Sequence, residues 1–106
     1  MGFQIGSALL DACVLSVLSK GDTYGYVLTQ TMKQVMDISE STLYPVLRRL
    51  QKEDYLRTYD QPFQGRNRRY YAITNEGKAK CELYKRDWII YKNQVDALLC
   101  EGDQGE

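Results

Sequence analysis

Two groups of side chains in this 106-residue chain are equipped to recognise something. The first lies in the segment after Ser39. At about 100° per residue around a helix, Leu43, Val46, Leu47 and Leu50 share one narrow arc, while Ser41, Pro45, Arg48 and Lys52 gather on the opposite side. Tyr44 and Arg49 flank that outer stripe, and Thr42 adjoins it. Such a helix suits the major groove of double-stranded DNA: arginine forks match guanine, and small hydroxyl residues permit close approach. A solvated amphipathic helix is the plain alternative. The second group is Gly65-Arg66-Asn67-Arg68-Arg69, which falls at a predicted hairpin tip. A basic tip can lie along phosphates and gain affinity by releasing counterions; a solubilising turn is its plain alternative.

Charge along the chain supports pairing these two groups. Basic and acidic residues number fourteen each, so the net charge is zero. Between Ser41 and Ile73, however, seven basic residues face three acidic ones, which makes this segment +4 and the remainder −4. The chemistry that is missing matters as much. The chain has no histidine, the commonest general base and metal ligand, which argues against an enzyme and against a metal site. Cys13, Cys81 and Cys100 are odd in number and far apart, so they suggest neither a zinc site nor a disulfide framework. They fit a reducing cytoplasm, with Cys13 and Cys81 as small buried hydrophobes. No cofactor is implied. The most apolar stretch, Ala8 to Leu18, is broken by Asp11 and Ser16 and is too short for a membrane span, so no membrane partner is expected.

The elements that must position these groups follow from periodicity and caps. Ser7 to Lys20 reads as a helix that is apolar nearly all round, stopped by Gly21. Asp22 is the expected N-cap of a second helix running to about Met36, with Tyr24, Val27, Leu28, Met32 and Val35 at helical spacing. Ser39 caps a third, ending near Asp54; its internal Pro45 leaves the Ser41 carbonyl outside the hydrogen-bond ladder. Two short strands follow, Tyr55 to Tyr59 and Arg69 to Ile73, around a Gln61-Pro62-Phe63-Gln64-Gly65 loop. Thr74 then caps a fourth helix that meets no breaker before Cys100. The fold class is therefore mainly α with a small β-hairpin. Residues 1–74 are expected to form a winged helix-turn-helix unit, 75–100 a dimerisation helix packed on the first helix, and 101–106 a disordered tail.

The fourth helix carries a heptad. Cys81, Tyr84, Trp88, Tyr91, Val95 and Leu98 step by 3, 4, 3, 4 and 3, the spacing of a coiled-coil seam, and predict a homodimer. An indole at such a position packs poorly against its symmetry mate and holds the helices apart. The gap would suit a planar aromatic molecule, stacked on Trp88 and Tyr91 with Tyr84 beside them and Asp87 at the rim. Plain interface packing is the alternative for both aromatic residues.

These segments resemble the PadR family of transcriptional regulators, in its short form with a single C-terminal dimerisation helix. The resemblance rests on Asp22-Thr23-Tyr24-Gly25-Tyr26, on Ser39 to Leu50 with its Thr42-Leu43-Tyr44-Pro45 core, and on Gly65 to Gly77. It implies a winged helix-turn-helix dimer that represses genes from a pseudo-palindromic operator and is released by a signal. In the multidrug-responsive members a tryptophan near the middle of the last helix lines a flat apolar pocket, and Trp88 falls at that place. The DNA-contacting set implied is Tyr24, Ser41, Thr42, Tyr44, Pro45, Arg48, Arg49, Lys52, Arg66, Arg68 and Arg69. One departure stands out. Where the family usually ends the recognition helix with glycine, this chain has Asp54-Tyr55, so Asp54 is expected to take the left-handed conformation. Two other functions stay open, a dimeric protein-interaction module and a redox switch through Cys81 or Cys100; neither accounts for the basic hairpin.

Overall fold

The computed structural model describes residues 6–100. The first five residues of the expected DNA-binding unit, and the 101–106 tail expected to be disordered, lie outside the described residues. In chain order the elements are α1 (Ser7–Ser19), β1 (Thr23–Tyr24), α2 (Gly25–Val35), α3 (Glu40–Lys52), β2 (Leu56–Phe63), β3 (Arg66–Ile73) and α4 (Asn75–Leu99). Three helices and a small antiparallel sheet thus precede one long helix. The mainly α architecture read from the sequence is the one observed.

One core holds α1, α2, α3 and the base of the hairpin together. Leu10, Val14, Leu15 and Leu18 from α1 meet Leu28 and Met32 from α2, and Leu43, Val46, Leu47 and Leu50 from α3. The α3 leucines are the arc that the spacing selected. Ser39 caps α3 as expected, its hydroxyl accepting from the Thr42 N–H at 3.3 Å. The helix runs through Pro45, which is exposed. Its end is managed by Asp54, whose φ of 66° is the left-handed turn expected there in place of glycine.

Two expectations are corrected. Asp22 does not cap the second helix. That helix starts three residues later at Gly25, because Thr23 and Tyr24 pair with Tyr71 and Tyr70 as a short third strand, and Asp22 instead accepts a 2.8 Å hydrogen bond from the Tyr59 hydroxyl. The hairpin is also longer than expected, pairing Leu56 with Ile73 through to Phe63 with Arg66. Only Gln64 and Gly65 remain as the turn, both left-handed at φ 52° and 79°, the geometry of a tight two-residue hairpin. Pro62 misled the sequence reading because proline is excluded from sheet interiors. The strand order is β1-β3-β2, so β2 is an edge strand, where a missing N–H is tolerated.

Thr74 caps α4, its hydroxyl accepting from the Gly77 N–H at 2.9 Å. Gly77 is required by close approach: a Cβ there would collide with the Tyr55 carbonyl and come within 2.7 Å of the Ile73 side chain. From this anchored start α4 packs along α1, with Cys81 buried against the core. Beyond Tyr84 nearly every residue of α4 is exposed, Val95 and Asp96 being half-buried. No described helix is long and apolar enough to cross a membrane.

Candidate nucleic-acid interface

The outer face of α3 is open. Ser41, Thr42, Tyr44, Pro45, Arg48 and Lys52 are all exposed. At the N-terminus of the helix, the Ser39 hydroxyl lies 3.0 Å from that of Ser41 and 3.1 Å from that of Thr42. This hydroxyl cluster sits at the positive end of the helix dipole, where a phosphate is favoured. Arg48 projects from the middle of the face without an ion-pair partner among the described residues. Tyr71 of β3 is half-buried against the core. Burial pushes its phenol above the ordinary tyrosine range, while nearby Arg69 and Arg48 pull it down and Tyr44 acts with burial. Tyr71 was not singled out from the sequence. The signal was its alternation in β3, which places it on the same face as Arg69 and Ile73.

The wing arginines divide by role. Arg66, next to the turn, is exposed and makes no ion pair among the described residues. Arg69 is exposed but bonds Asp60 across the hairpin at 3.2 Å. Arg68 is half-buried: its guanidinium stands 3.6 Å from the Phe63 ring centroid and 4.1 Å from that of Tyr24. Tyr24 in turn lies against Tyr70, which stacks on Tyr59 at 5.4 Å and 9°. Arg57 stands 5.7 Å over Tyr59. A continuous run of two arginines and four rings, Phe63, Arg68, Tyr24, Tyr70, Tyr59 and Arg57, therefore lines one face of the sheet. Phe63 was missed because the expected loop hid the pairing that puts it on this face.

Arg49, expected among the DNA contacts, is paired with Asp11 of α1. Its Nη1 donates to Asp11 Oδ2 at 3.0 Å and its Nη2 to Asp11 Oδ1, with Glu53 3.6 Å away on the same helix. The hydrogen bonds to Asp11 raise the guanidinium further above its ordinary range. Arg49 stays at the flank of α3, where helical spacing put it, its side chain 39% exposed and its guanidinium held by Asp11.

The heptad of α4 divides as well. Cys81, the first residue of the expected seam, is 2% exposed within its own chain's core. Tyr84 is half-buried, its hydroxyl 3.5 Å from Asp11 Oδ2. From Trp88 onward the seam is open, with Trp88 41% and Tyr91 59% exposed and their rings 6.3 Å apart. Between α1 and this part of α4 runs a groove of about 810 Å³, whose walls include Leu9, Ala12, Trp88, Tyr91 and Val95. Asp87 stands at its edge, and Asp96 is paired with Lys92 at 3.4 Å. Burial raises the thiols of Cys13 and Cys81 above the ordinary cysteine range. No cluster of three potential metal ligands occurs among the described residues.

A three-helix core with its outer helix face open beside a basic two-stranded wing defines a winged helix-turn-helix transcriptional regulator. Residues 14–83 match the Transcriptional regulator PadR-like family, and the chain belongs to it. A crystal structure from Streptococcus mutans is 39% identical, with a TM-score of 0.86 and coverage of 100% of this chain and 99% of that one. A PadR family transcription regulator from Clostridium difficile is 30% identical over 89% of this chain and 99% of its own, with a TM-score of 0.80. A PadR-like transcriptional regulator from Bacillus cereus is 33% identical over 92% and 93%, with a TM-score of 0.79. The family is one of DNA-binding regulators, not of enzymes.

Proposed function

We propose that the protein is a homodimeric repressor that reads a pseudo-palindromic operator and is released by a planar aromatic molecule bound between its subunits. In this reading residues 1–74 are the DNA-binding unit and 75–100 the dimerisation helix. Ser41, Thr42, Tyr44 and Arg48 contact base edges, Pro45 lets the backbone approach, and Lys52, Arg66 and Arg69 meet phosphates. Tyr24 and Arg68 act by holding the wing rather than by direct readout. The observation that carries the DNA reading is the exposure of Arg48 on α3 and of Arg66 on the wing, neither with an ion-pair partner among the described residues. A regulator of this kind works where the chromosome is, in the cytoplasm of a bacterium.

Dimerisation and the effector rest on the α1–α4 groove. Its apolar walls, and the open seam from Trp88 to Leu98, present the kind of surface that a second chain covers. Stacking on the exposed faces of Trp88 or Tyr91 favours flat ligands, and the Asp87 carboxylate favours cationic ones. A ligand there would change the separation of the two recognition helices, which must meet half-sites about 34 Å apart, one turn of DNA. Two titrations test the reading. Binding to random-sequence duplex DNA should weaken steeply as salt rises, which a protein-interaction module or a redox switch would not show. Flat dyes should quench the single tryptophan at micromolar concentration; no quenching, or unchanged quenching in a monomerised variant, removes the effector.

A further inference from the structure

Arg49 sits on the DNA-facing helix and yet is tied to a different one. Asp11, its partner on α1, is only 5% exposed, so its carboxylate depends on the protein for hydrogen bonds. Arg49 supplies two of them, in the planar fork that fixes both distance and direction. Tyr84 of α4, on the groove wall, closes over the pair with its hydroxyl 3.5 Å from Oδ2. Three helices therefore meet at one buried carboxylate.

We propose that Asp11 and Arg49 are positioning residues for DNA recognition, whose two-bond pair sets the rotation of α3 about its own axis. This rests on the reading of α3 as the DNA-reading helix. Leucines in the core hold α3 against its neighbours, but apolar contact is non-directional and tolerates small rotations. A bidentate pair does not. Arg48 and Arg49 are adjacent, about 100° apart around the helix, so locking one aims the other. Glu53 cannot replace Asp11 here: it lies on α3 itself and turns with the helix. Tyr84 makes the same carboxylate a neighbour of the α1–α4 groove, so a displacement of α4 reaches the pair directly.

The test uses Asp11→Asn and Arg49→Lys, the second keeping the charge while losing the fork. Each is compared with the full wild-type chain on the duplex that wild type enriches from a random-sequence pool, and on a scrambled duplex of equal length. The expected result is about a tenfold loss on the enriched duplex, the scale of a lost charge-assisted hydrogen bond, with the scrambled duplex and the salt slope unchanged. Wild-type affinity for the enriched duplex in both variants overturns the proposal, as does an equal loss on both duplexes. Should Asp11→Asn fail to fold by circular dichroism, Arg49→Lys alone decides. Failure of wild type to enrich any sequence would overturn the DNA reading itself, a result distinct from enrichment that the variants leave intact.

Discussion

The Thr74 hydroxyl donates to the Asp54 carbonyl at 2.6 Å, joining the turn after α3 to the start of α4. The same oxygen accepts from the Gly77 N–H, and the Thr74 N–H donates to the Tyr55 carbonyl at 3.1 Å. One residue thus closes the left-handed turn after α3 and caps α4. Thr74→Val keeps the size and removes both hydroxyl bonds. It should lower stability by about 0.5–2 kcal/mol, the range for a lost N-cap, read as a shifted midpoint in urea. An unchanged midpoint would mean that the junction is held by packing alone.

Arg48 and Arg66 should have different signatures on DNA. Arg48→Ala is expected to cost roughly 1–3 kcal/mol on the enriched duplex and to relax preference at one base pair. Arg66→Ala should weaken all sequences alike and reduce the salt slope by about one. Quantitative binding at four salt concentrations separates the two. Equal losses for Arg48→Ala on specific and scrambled DNA would remove it as a base reader.

Charges placed on the open seam should give monomers. Tyr91 and Leu98 are exposed in the single chain, so the pair Tyr91→Asp and Leu98→Asp leaves the core intact. Tyr84 is unsuited to such a test, because an aspartate there would add a second carboxylate beside Asp11. Sedimentation of the double variant as a dimer indistinguishable from wild type would place the interface elsewhere.

Thiol chemistry offers a check on the redox alternative. Burial lifts Cys13 and Cys81 above the usual thiol range, so their reactive thiolate is scarce at neutral pH and grows only as pH rises into the alkaline range. Alkylation of the folded protein at pH 7, followed by mass spectrometry, should label both slowly and unfolded protein quickly. Rapid labelling of Cys81 in the fold would revive a switch at that position.

The helices were legible in the sequence because their signals are local. Ser39 and Thr74 announce caps, the α3 leucines repeat on one arc, and Asp54 stands where a left-handed residue is needed. The sheet was less legible because its pairings join distant segments. Nothing near Thr23 reveals that Tyr70 and Tyr71 will lie beside it, and Pro62 reads as a breaker unless the strand is known to be an edge. The interface was divided in the same way. Helical spacing gave the exposed stripe, but only the packed fold shows that Arg49 is held by Asp11, that Arg68 is held between two rings, and that Cys81 is spent on the chain's own core.

The position of β2 at the edge of the sheet also bears on how the chain meets other copies of itself. An eight-residue strand with one side unpaired is a template for the edge of another molecule, the first step toward aggregates. Here Pro62 offers no N–H to an incoming strand, Arg57 and Asp60 carry charge along the same edge, and the tight left-handed turn at Gln64 and Gly65 ends the template. At the opposite edge β1 is only two residues long. The wing is thereby poorly suited to pair with another wing, so replacing Pro62 with a β-branched residue would restore an outward N–H on this edge at the expense of solubility.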